Sequence, residues 1–220
     1  MSNNVVDDNN AVNDHIVGYA PPTLTDRRYH HGNLRTALLA QAEQTVRERG
    51  VEELSLRDLA RQVGVSHAAP RRHFADRQAL LDALAQSGFA RLEAELRSAV
   101  DGAGKKFERR LRAAAGAYIR FAVRDPALLE LMFAGKHRDP TGELDDAAER
   151  AFSIMLELIQ QGQASGVLGS GDPERVGLVL FATIQGIAAL VTAGIVEPDQ
   201  IDGLVADSIA HFLRGSRAPA

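Results

Sequence analysis

The sequence predicts an all-α protein of about nine helices, and three observations support this fold class. Apolar residues recur at intervals of three and four from residue 30 almost to the C-terminus, which is the spacing of one helix face. Capping patterns and Asp-Pro pairs mark the ends of these runs, and no segment shows the two-residue alternation of a strand. With 220 residues, 45% of them hydrophobic, the chain can bury a substantial core.

The first 26 residues differ in character from the rest, because they are rich in Asn and Asp and contain four acidic and no basic residues. They show no apolar periodicity, so we expect a disordered tail over 1–26, with a small ordered arm as the alternative. The segment also lacks the basic and apolar stretches of a signal peptide. Because the chain contains no cysteine, we expect a cytoplasmic protein without disulfides or thiolate metal sites.

The first helix is predicted from about residue 30 to Gly50, on apolar residues that recur every four positions: Leu34, Leu38, Ala42 and Val46. Ser55 opens a second helix through an S-x-x-D capping pattern, and the apolar face of that helix comprises Leu56, Leu59, Ala60 and Val63. Gly64 ends the second helix, and Ser66 can cap a third, short helix towards Phe74. Two short helices joined by such a turn form a helix-turn-helix.

The remaining helices are all predicted from caps and apolar spacing. Asp76 caps a long fourth helix, and the pairs Asp125–Pro126 and Asp172–Pro173 each combine a cap with proline at the first helical position. The helices are expected at about 76–101, 105–124, 126–133, 142–164, 173–195 and 199–214.

Positive charge is concentrated around the helix-turn-helix. Residues 27–77 carry ten arginines against six acids, a net charge of +4, whereas 1–26 and 78–220 each carry −4. The one positive block therefore favours an anionic partner, and a short helix with exposed arginines fits the major groove of DNA. A helical hairpin with solvated arginines is the alternative.

The segment 30–77 reads HHGNLRTALLAQAEQTVRERGVEELSLRDLARQVGVSHAAPRRHFADR. It resembles the DNA-binding domain of the TetR family of bacterial one-component regulators, in which an S-x-R-D-L-A…G-V-S stretch precedes a short recognition helix and a His-Phe pair. YHHGNLR at 29–35 further resembles one large subgroup of that family. The resemblance implies a DNA-binding domain over 27–77 and an effector-binding and dimerisation domain over 78–220.

The resemblance also implies which residues contact a double-stranded DNA operator. Arg71 stands where the family usually has Tyr, so a phosphate contact or a guanine contact is open to it. Ser55, with the N-terminus of its helix, and Arg57 are phosphate candidates. The candidate base or phosphate readers are Ser66, His67 and Arg71, and the candidate backbone anchors are Arg72, His73 and Arg77. Arg27 and Arg28 precede the first helix and could enter the minor groove, or they form a solvated charge pair.

The resemblance places a small-molecule effector in the C-terminal domain. Facing helices carry apolar and weakly polar residues that could line its cavity: Phe121, Leu128, Met132, Phe133, Phe152, Met155, Phe181 and Gln185. Plain core packing is the alternative for each of them. Since no charged cluster is evident there, the expected ligand is neutral or mainly apolar. The subgroup usually carries Trp-x-x-x-His-Gly in its eighth helix, and here Phe181 and Gln185 replace the Trp and the His.

A run of 21 residues, 176–196, contains no charge and is long enough to span a bilayer. We favour a buried helix at a subunit interface, because Gln185 and two threonines interrupt the run and the resemblance assigns it to a dimer. Two helices of each subunit would form a four-helix bundle in a homodimer, with no membrane involved. The expected interface residues are Ala182, Gly186, Ile201, Leu204, Val205, Ile209 and Phe212.

Other chemistries find little support in the sequence. His30–His31 lacks a third ligand nearby, and GVLGSGDPE matches no phosphate-binding fingerprint. No nucleophile–base arrangement is evident, so neither an enzyme nor a cofactor is expected. The sequence therefore predicts a ligand-responsive repressor that binds a palindromic operator as a homodimer. A helix-turn-helix protein controlled by a protein partner is the alternative.

Overall fold

The structure is a computed structural model that describes the backbone of residues 24–136 and 142–216 and the side chains of 34–135 and 142–216. Contacts between residues divide the chain into two units, 1–34 and 35–220. Within the described residues all regular structure is helical, which confirms the predicted all-α class.

Eight α-helices account for most of the described chain. They are α1 (Leu24–Arg49), α2 (Leu56–Val63), α3 (Arg77–Gly102), α4 (Phe107–Arg124), α5 (Pro126–Lys136), α6 (Glu143–Ala164), α7 (Pro173–Thr192) and α8 (Ile201–Gly215). Single 3-10 turns occupy Val51–Glu53, Pro70–Arg72 and Pro198–Gln200. All six later helices lie within three residues of the predicted ranges at both ends; α5 ends three residues later than predicted and α7 three residues earlier.

Three of the predicted N-terminal caps, Ser55, Asp76 and Asp172, are confirmed by hydrogen bonds. The Ser55 hydroxyl accepts a bond of 3.1 Å from the backbone N–H of Asp58, and the Asp76 carboxylate accepts one of 2.8 Å from Ala79. The Asp172 carboxylate caps α7 in the same way. These side chains satisfy N–H groups that have no partner within their own helix.

The predicted third helix is instead a series of tight turns. Proline has no N–H, so Pro70 cannot donate to the carbonyl of Ser66 and the first i to i−4 bond of an α-helix is lost. The chain uses shorter bonds, from Ala69 N–H to Ser66 O at 2.9 Å and from Arg72 N–H to Ala69 O at 3.2 Å. The predicted short third helix is therefore present as a 3-10 helix over Pro70–Arg72 and not as an α-helix.

The N-terminal boundary also differs from the expectation. The backbone of α1 begins at Leu24, so the last three residues of the expected tail are helical. Arg27 and Arg28 consequently lie within α1 and not before it. Residues 1–23 lie outside the described residues, and the tail predicted there stays a prediction.

The core of the second unit is built around α3. This helix packs against α4, α5 and α6, while α4 also packs against α7 and α8. Gly88 allows a close approach of α5, because a Cβ at that position would lie 2.6 Å from the Sδ of Met132. The predicted domain boundary at 77–78 falls at the start of α3 and stays a prediction.

Candidate functional site

The turn of the helix-turn-helix is fixed by backbone hydrogen bonds around Gly64. This glycine has φ 77°, in the left-handed region that favours glycine. Its N–H donates to Arg61 O at 3.3 Å, and the N–H of Val65 donates to Ala60 O at 2.9 Å. The pair of bonds is a Schellman motif, which ends α2 and sets the direction of the chain that follows.

Residues 66–74, which we call the recognition segment, have an inner and an outer side. Pro70 and Phe74 are buried, and the guanidinium of Arg35 lies 5.4 Å from the centre of the Phe74 ring. The outer side carries five exposed residues, Ala68 and the four that were predicted to contact DNA: Ser66, His67, Arg71 and Arg72. The two arginines form no ion pair with residues 34–135 or 142–216, so their donors are available to a ligand.

The two side chains predicted to contact phosphate at the start of α2 differ in availability, because Arg57 is exposed and Ser55 is already hydrogen-bonded. Arg57 is exposed in the first turn of α2. The Ser55 hydroxyl is engaged on both sides, because it caps Asp58 N–H and donates to the Asp58 carboxylate at 2.7 Å. The N–H groups of Leu56 and Arg57 precede the first intrahelical bond, so they are the donors at this end that an anion could use.

Two of the predicted anchors to the DNA backbone, His73 and Arg77, are less free on the surface than expected. The guanidinium of Arg77 donates to the carbonyls of Leu54 at 2.9 Å and Val51 at 2.6 Å, which ties the start of α3 to the chain before α2. His73 is half-buried. Arg77 therefore stabilises the helix-turn-helix through bonds inside the protein, by holding the start of α3 against the chain at Val51 and Leu54. The side chains of Arg27 and Arg28 lie outside the described residues.

Three of the predicted effector residues meet in one aromatic cluster. We define this cluster as Phe89, Tyr118, Phe133, Phe152 and Phe181. Ring centroids are 5.4 Å apart for Phe152 and Phe181, 6.1 Å for Phe133 and Phe152, and 5.4 Å for Tyr118 and Phe181. Phe89, which is fully buried, joins through Phe152 at 6.1 Å. Sequence reasoning missed Phe89 and Tyr118, although both lie on apolar helix faces.

The other predicted effector residues lie apart from the cluster or at its edge. Leu128 and Met132 are buried against Gly88 in the contact between α3 and α5. Phe121 is fully buried between two guanidinium groups. Met155 and Gln185 are half-buried, and no ring contact involves them. Leu128, Met132 and Phe121 are packed in the core, and a role for them in effector binding stays a prediction.

Tyr118 presents an unusual polar group within the aromatic cluster. The residue is 2% exposed, and its hydroxyl forms no hydrogen bond with any described residue. Burial raises the pKa of this hydroxyl, so it stays protonated and can donate a hydrogen bond.

A second polar centre, absent from the sequence predictions, surrounds Asp125. Its carboxylate, 1% exposed, accepts hydrogen bonds from Arg47 at 2.6 and 2.9 Å, Arg91 at 2.9 Å and Arg124 at 2.8 Å. Burial alone would raise the pKa of Asp125, but the hydrogen bonds from Arg124 and Arg47 and the positive charges of Arg91 and Arg47 outweigh it, so the pKa is lowered. Glu43 and Glu95 balance the arginines. We call these six residues the Asp125 network.

The network joins three parts of the fold. Arg47 belongs to α1, Arg91 to α3, and Asp125 to the link between α4 and α5. The guanidinium groups of Arg91 and Arg124 lie 5.2 and 5.3 Å from the centre of the Phe121 ring. The helix that precedes the helix-turn-helix is thereby held to the helices that carry the aromatic cluster.

An open cleft of about 470 Å³ lies among α1, α3 and α6. Its lining includes Arg35 and Arg150 together with Glu143, whose carboxylate accepts a hydrogen bond from Gln86 at 3.2 Å. Both signs of charge line this cleft, so it differs from the apolar effector region that the sequence predicts.

The helix α7 presents an apolar face outside the core. Leu178, Val179 and Leu190 are 65%, 59% and 42% exposed, and Ala182 and Gly186 are exposed between them. By length and composition α7 could also cross a membrane, a weak indication that core helices of soluble proteins share.

The predicted interface residues on α8 divide between inside and outside. Ile201, Val205 and Ile209 are buried within their own chain, whereas Leu204 and Phe212 are half-buried. The first three pack against the helices of the same subunit, so the surface open to a partner differs from the expectation at those positions. No group of three potential metal ligands occurs among the described residues.

Comparisons with known proteins agree with both halves of the sequence analysis. The model of the family described as bacterial regulatory proteins, tetR family, matches residues 38–84. The model described as tetracyclin repressor-like, C-terminal domain, matches residues 111–212.

Solved structures share the fold over almost their whole length. A protein of unknown function from Rhodococcus sp. RHA1 is 46% identical, with a TM-score of 0.79 over 86% of this chain and 98% of that one. Putative TetR-family transcriptional regulators from Rhodococcus sp. and Mesorhizobium loti MAFF303099 are 22% and 18% identical. Their TM-scores are 0.66 and 0.70, they cover 83% and 86% of this chain, and 99% and 98% of their own chains align. No curated protein matches the chain.

Proposed function

Because the chain belongs to the TetR family of DNA-binding transcription regulators, which are not enzymes, we propose that it is a cytoplasmic homodimeric repressor. It binds a palindromic operator and is released by a small, mainly apolar effector. The observation that carries the proposal is the outer side of the recognition segment, where Arg71 and Arg72 are exposed and unpaired within the described structure.

Operator binding is supported by how the recognition segment is held. Pro70 and Phe74 anchor it from inside, and the Schellman motif at Gly64 sets its angle to α2. The outward arginines can donate bidentate hydrogen bonds to guanine or to phosphate without first giving up a protein partner. The net charge of +4 over 27–77 adds attraction to the DNA backbone.

A homodimer is supported by the apolar face of α7. Leu178 and Val179 lose contact with water when covered, and each fully buried side chain of this size contributes about 1.5–3 kcal/mol. Ala182 and Gly186 are small residues on the same face, and they let a second helix approach closely. A symmetric dimer would bring two recognition segments to two half-sites of a palindrome.

An effector response is supported by the aromatic cluster and by the Asp125 network beside it. A ligand shifts a conformational equilibrium only if it binds one state better than the other. An effector in the aromatic cluster that favours a different placement of α4 would also act on Asp125, which follows α4 and binds Arg47 of α1. The operator-binding arrangement would then lose population.

The test begins with selection of genomic DNA fragments by the purified protein at physiological salt, followed by footprinting. We expect one palindrome protected over two half-sites about one helical turn apart. The double variant Arg71→Ala/Arg72→Ala should lose specific binding while staying dimeric. Its matched control, Arg97→Ala/Arg112→Ala, removes the same charge elsewhere and should retain binding.

Two outcomes would contradict this function. Weak binding that disappears with salt and shows no preferred sequence would mean that the arginines contribute only non-specific charge. Sequence-specific binding that depends on an added protein would instead support control by a protein partner.

A further inference from the structure

The hydroxyl of Tyr118 lacks the hydrogen-bond partner that a buried polar group requires. Most buried polar atoms in native proteins are hydrogen-bonded, and a buried exception calls for a water, a ligand or a functional role. Tyr118 is 2% exposed, and its hydroxyl meets no donor or acceptor among residues 34–135 and 142–216. The fold therefore keeps a hydrogen-bond donor at a buried position without a partner among the described residues.

The surroundings of that hydroxyl define what could use it. The Phe181 ring stands edge-on to Tyr118 at 5.4 Å and an interplanar angle of 72°, and Phe152 stands edge-on to Phe181 at 5.4 Å and 83°. Phe133 lies 6.2 Å from Phe181. Aromatic rings favour such offset and edge-to-face contacts with another ring. The members of the aromatic cluster carry no charge, so an ionic guest would lose its hydration without compensation.

The cluster has a route to solvent through its outer members. Phe133, Phe152 and Phe181 are half-buried, whereas Tyr118 and Phe89 are buried. Phe181 contacts Tyr118 and is itself the more exposed of the two residues, so a turn of its side chain would expose the Tyr118 ring.

We propose that the aromatic cluster binds a neutral aromatic molecule that carries a hydrogen-bond acceptor, with the hydroxyl of Tyr118 donating to that acceptor. A carbonyl oxygen, an ether oxygen or a ring nitrogen would meet this requirement. The proposal rests on the effector response described above and names the chemical class of the effector. Phe181 occupies the guest's position when the site is empty and moves aside on binding.

The test uses three probes of one size: acetophenone, ethylbenzene and benzoate. Acetophenone and ethylbenzene differ only in that a carbonyl group replaces a methylene group, and benzoate carries a negative charge. Binding is measured by saturation-transfer NMR titration on the full chain and on Tyr118→Phe. Tyr118→Phe should lower the affinity for acetophenone by about fivefold, which corresponds to the loss of one buried hydrogen bond. The affinity for ethylbenzene should not change. Benzoate should not bind either protein.

A second variant tests the position of the site. Phe181→Ala should leave an apolar cavity beside Tyr118. Apolar cavities made by shortening a side chain can bind benzene-sized molecules. We expect acetophenone to bind this variant more tightly than the wild type. The control Arg175→Ala shortens an exposed side chain near the start of the same helix and should not change affinity.

Stability provides an independent readout. If the Tyr118 hydroxyl has no internal partner, Tyr118→Phe without probe should unfold at the wild-type temperature or above it. A clearly lower unfolding temperature would show that the hydroxyl is already bonded inside the protein and would overturn the proposal. An equal loss of affinity for acetophenone and ethylbenzene in Tyr118→Phe would overturn it too, and so would a failure of both probes to bind. Binding that neither variant changes would place the probe in the charged cleft and would also overturn the proposal.

DNA binding is measured on the same preparations by fluorescence anisotropy. Wild-type protein that binds its operator but does not discriminate between the probes would refute this inference alone. Wild-type protein that discriminates between the probes but binds no operator would refute the proposed function alone.

Discussion

At the scale of single residues, Asp125 is the most constrained charge in the described structure. Its carboxylate is almost inaccessible and holds three arginines that come from α1, α3 and α4. Burying a charge is unfavourable, and here short hydrogen bonds compensate for the lost hydration. Removing one member therefore leaves other charges without partners.

The first prediction concerns the stability of Asp125→Asn. The substitution keeps the shape and removes the charge, so three guanidinium groups lose their shared partner. We expect a loss of about 2–3 kcal/mol, below the value for a fully buried pair because the arginines are partly exposed. Urea denaturation followed by circular dichroism measures it. The control Asp202→Asn breaks the exposed pair with Arg120 and should change stability by less than about 1 kcal/mol.

The second prediction follows from the lowered pKa of Asp125. A carboxylate whose folded pKa lies below its unfolded value of about 3.9 contributes stability that is complete at neutral pH. That contribution is lost as the pH falls through the folded pKa. Denaturation curves from pH 7 to pH 2 should therefore fall less steeply for Asp125→Asn than for the wild type. Parallel curves would mean that Asp125 does not supply the acid sensitivity.

The Asp125 network lay beyond the reach of the sequence. Asp125–Pro126 correctly predicted the start of α5, but the sequence has no local signal that joins Asp125 to Arg47, 78 positions away, or to Arg91, 34 positions away. Hydrogen bonds between distant positions follow from how helices pack. Periodicity describes each helix alone and does not determine that packing.

At the scale of secondary-structure elements, the link between α2 and the recognition segment depends on Gly64. Its φ of 77° is costly for any residue with a Cβ, although a Cβ there would meet no atom within 4 Å. The cost of Gly64→Ala is therefore backbone strain alone, about 1 kcal/mol.

The third prediction is that Gly64→Ala lowers both stability and operator affinity. The strained variant would relieve φ by shifting the turn, which moves Arg71 and Arg72. Thermal unfolding and anisotropy measure the two effects. Gly102→Ala, at an exposed helical glycine with an ordinary φ, should not weaken either one. Unchanged operator affinity in Gly64→Ala would indicate that the segment keeps its angle without the glycine.

Element prediction succeeded where the signal was local. Ser55, Asp76 and Asp172 act within three residues of their own positions, and their hydrogen bonds are confirmed. The helix in the recognition segment is shorter than predicted and of the 3-10 type, because Pro70 removes the bond that an α-helix needs there. The start of α1 was missed because 24–29 lacks apolar spacing.

At the scale of the whole molecule, the apolar face of α7 is the surface on which the proposed homodimer depends. Leu178, Val179 and Leu190 remain exposed on a helix whose other side is packed. The fourth prediction is that Gly186→Arg, in the middle of this face, yields a folded monomer. A long cation there would prevent close approach of a second α7 and bury an unpaired charge.

Sedimentation velocity and circular dichroism test that prediction. The expected result is a monomer with wild-type helicity and much weaker operator binding, since one recognition segment reaches only one half-site. Gly102→Arg introduces the same charge at the exposed end of α3 and should stay dimeric. A dimer in Gly186→Arg would mean that the subunits meet elsewhere.

The interface prediction shows why assembly is harder to infer than fold. Ile201, Val205 and Ile209 share the apolar character of Leu204 and Phe212, yet the first three are buried in their own chain. When a helix is apolar on two sides, composition alone does not separate the side that faces the core from the side that faces a partner. The packing of α8 against α4 and α7 separates them.

The division of the recognition segment into two sides has an evolutionary consequence. Pro70 and Phe74 are the buried members of this segment, while Ser66, His67, Arg71 and Arg72 point outwards. Under the proposed operator contacts, mutations at the outward positions would change the preferred DNA sequence with little loss of stability. Duplicated copies of such a gene could diverge towards new operators quickly, and an engineer could randomise these four codons and still recover folded protein.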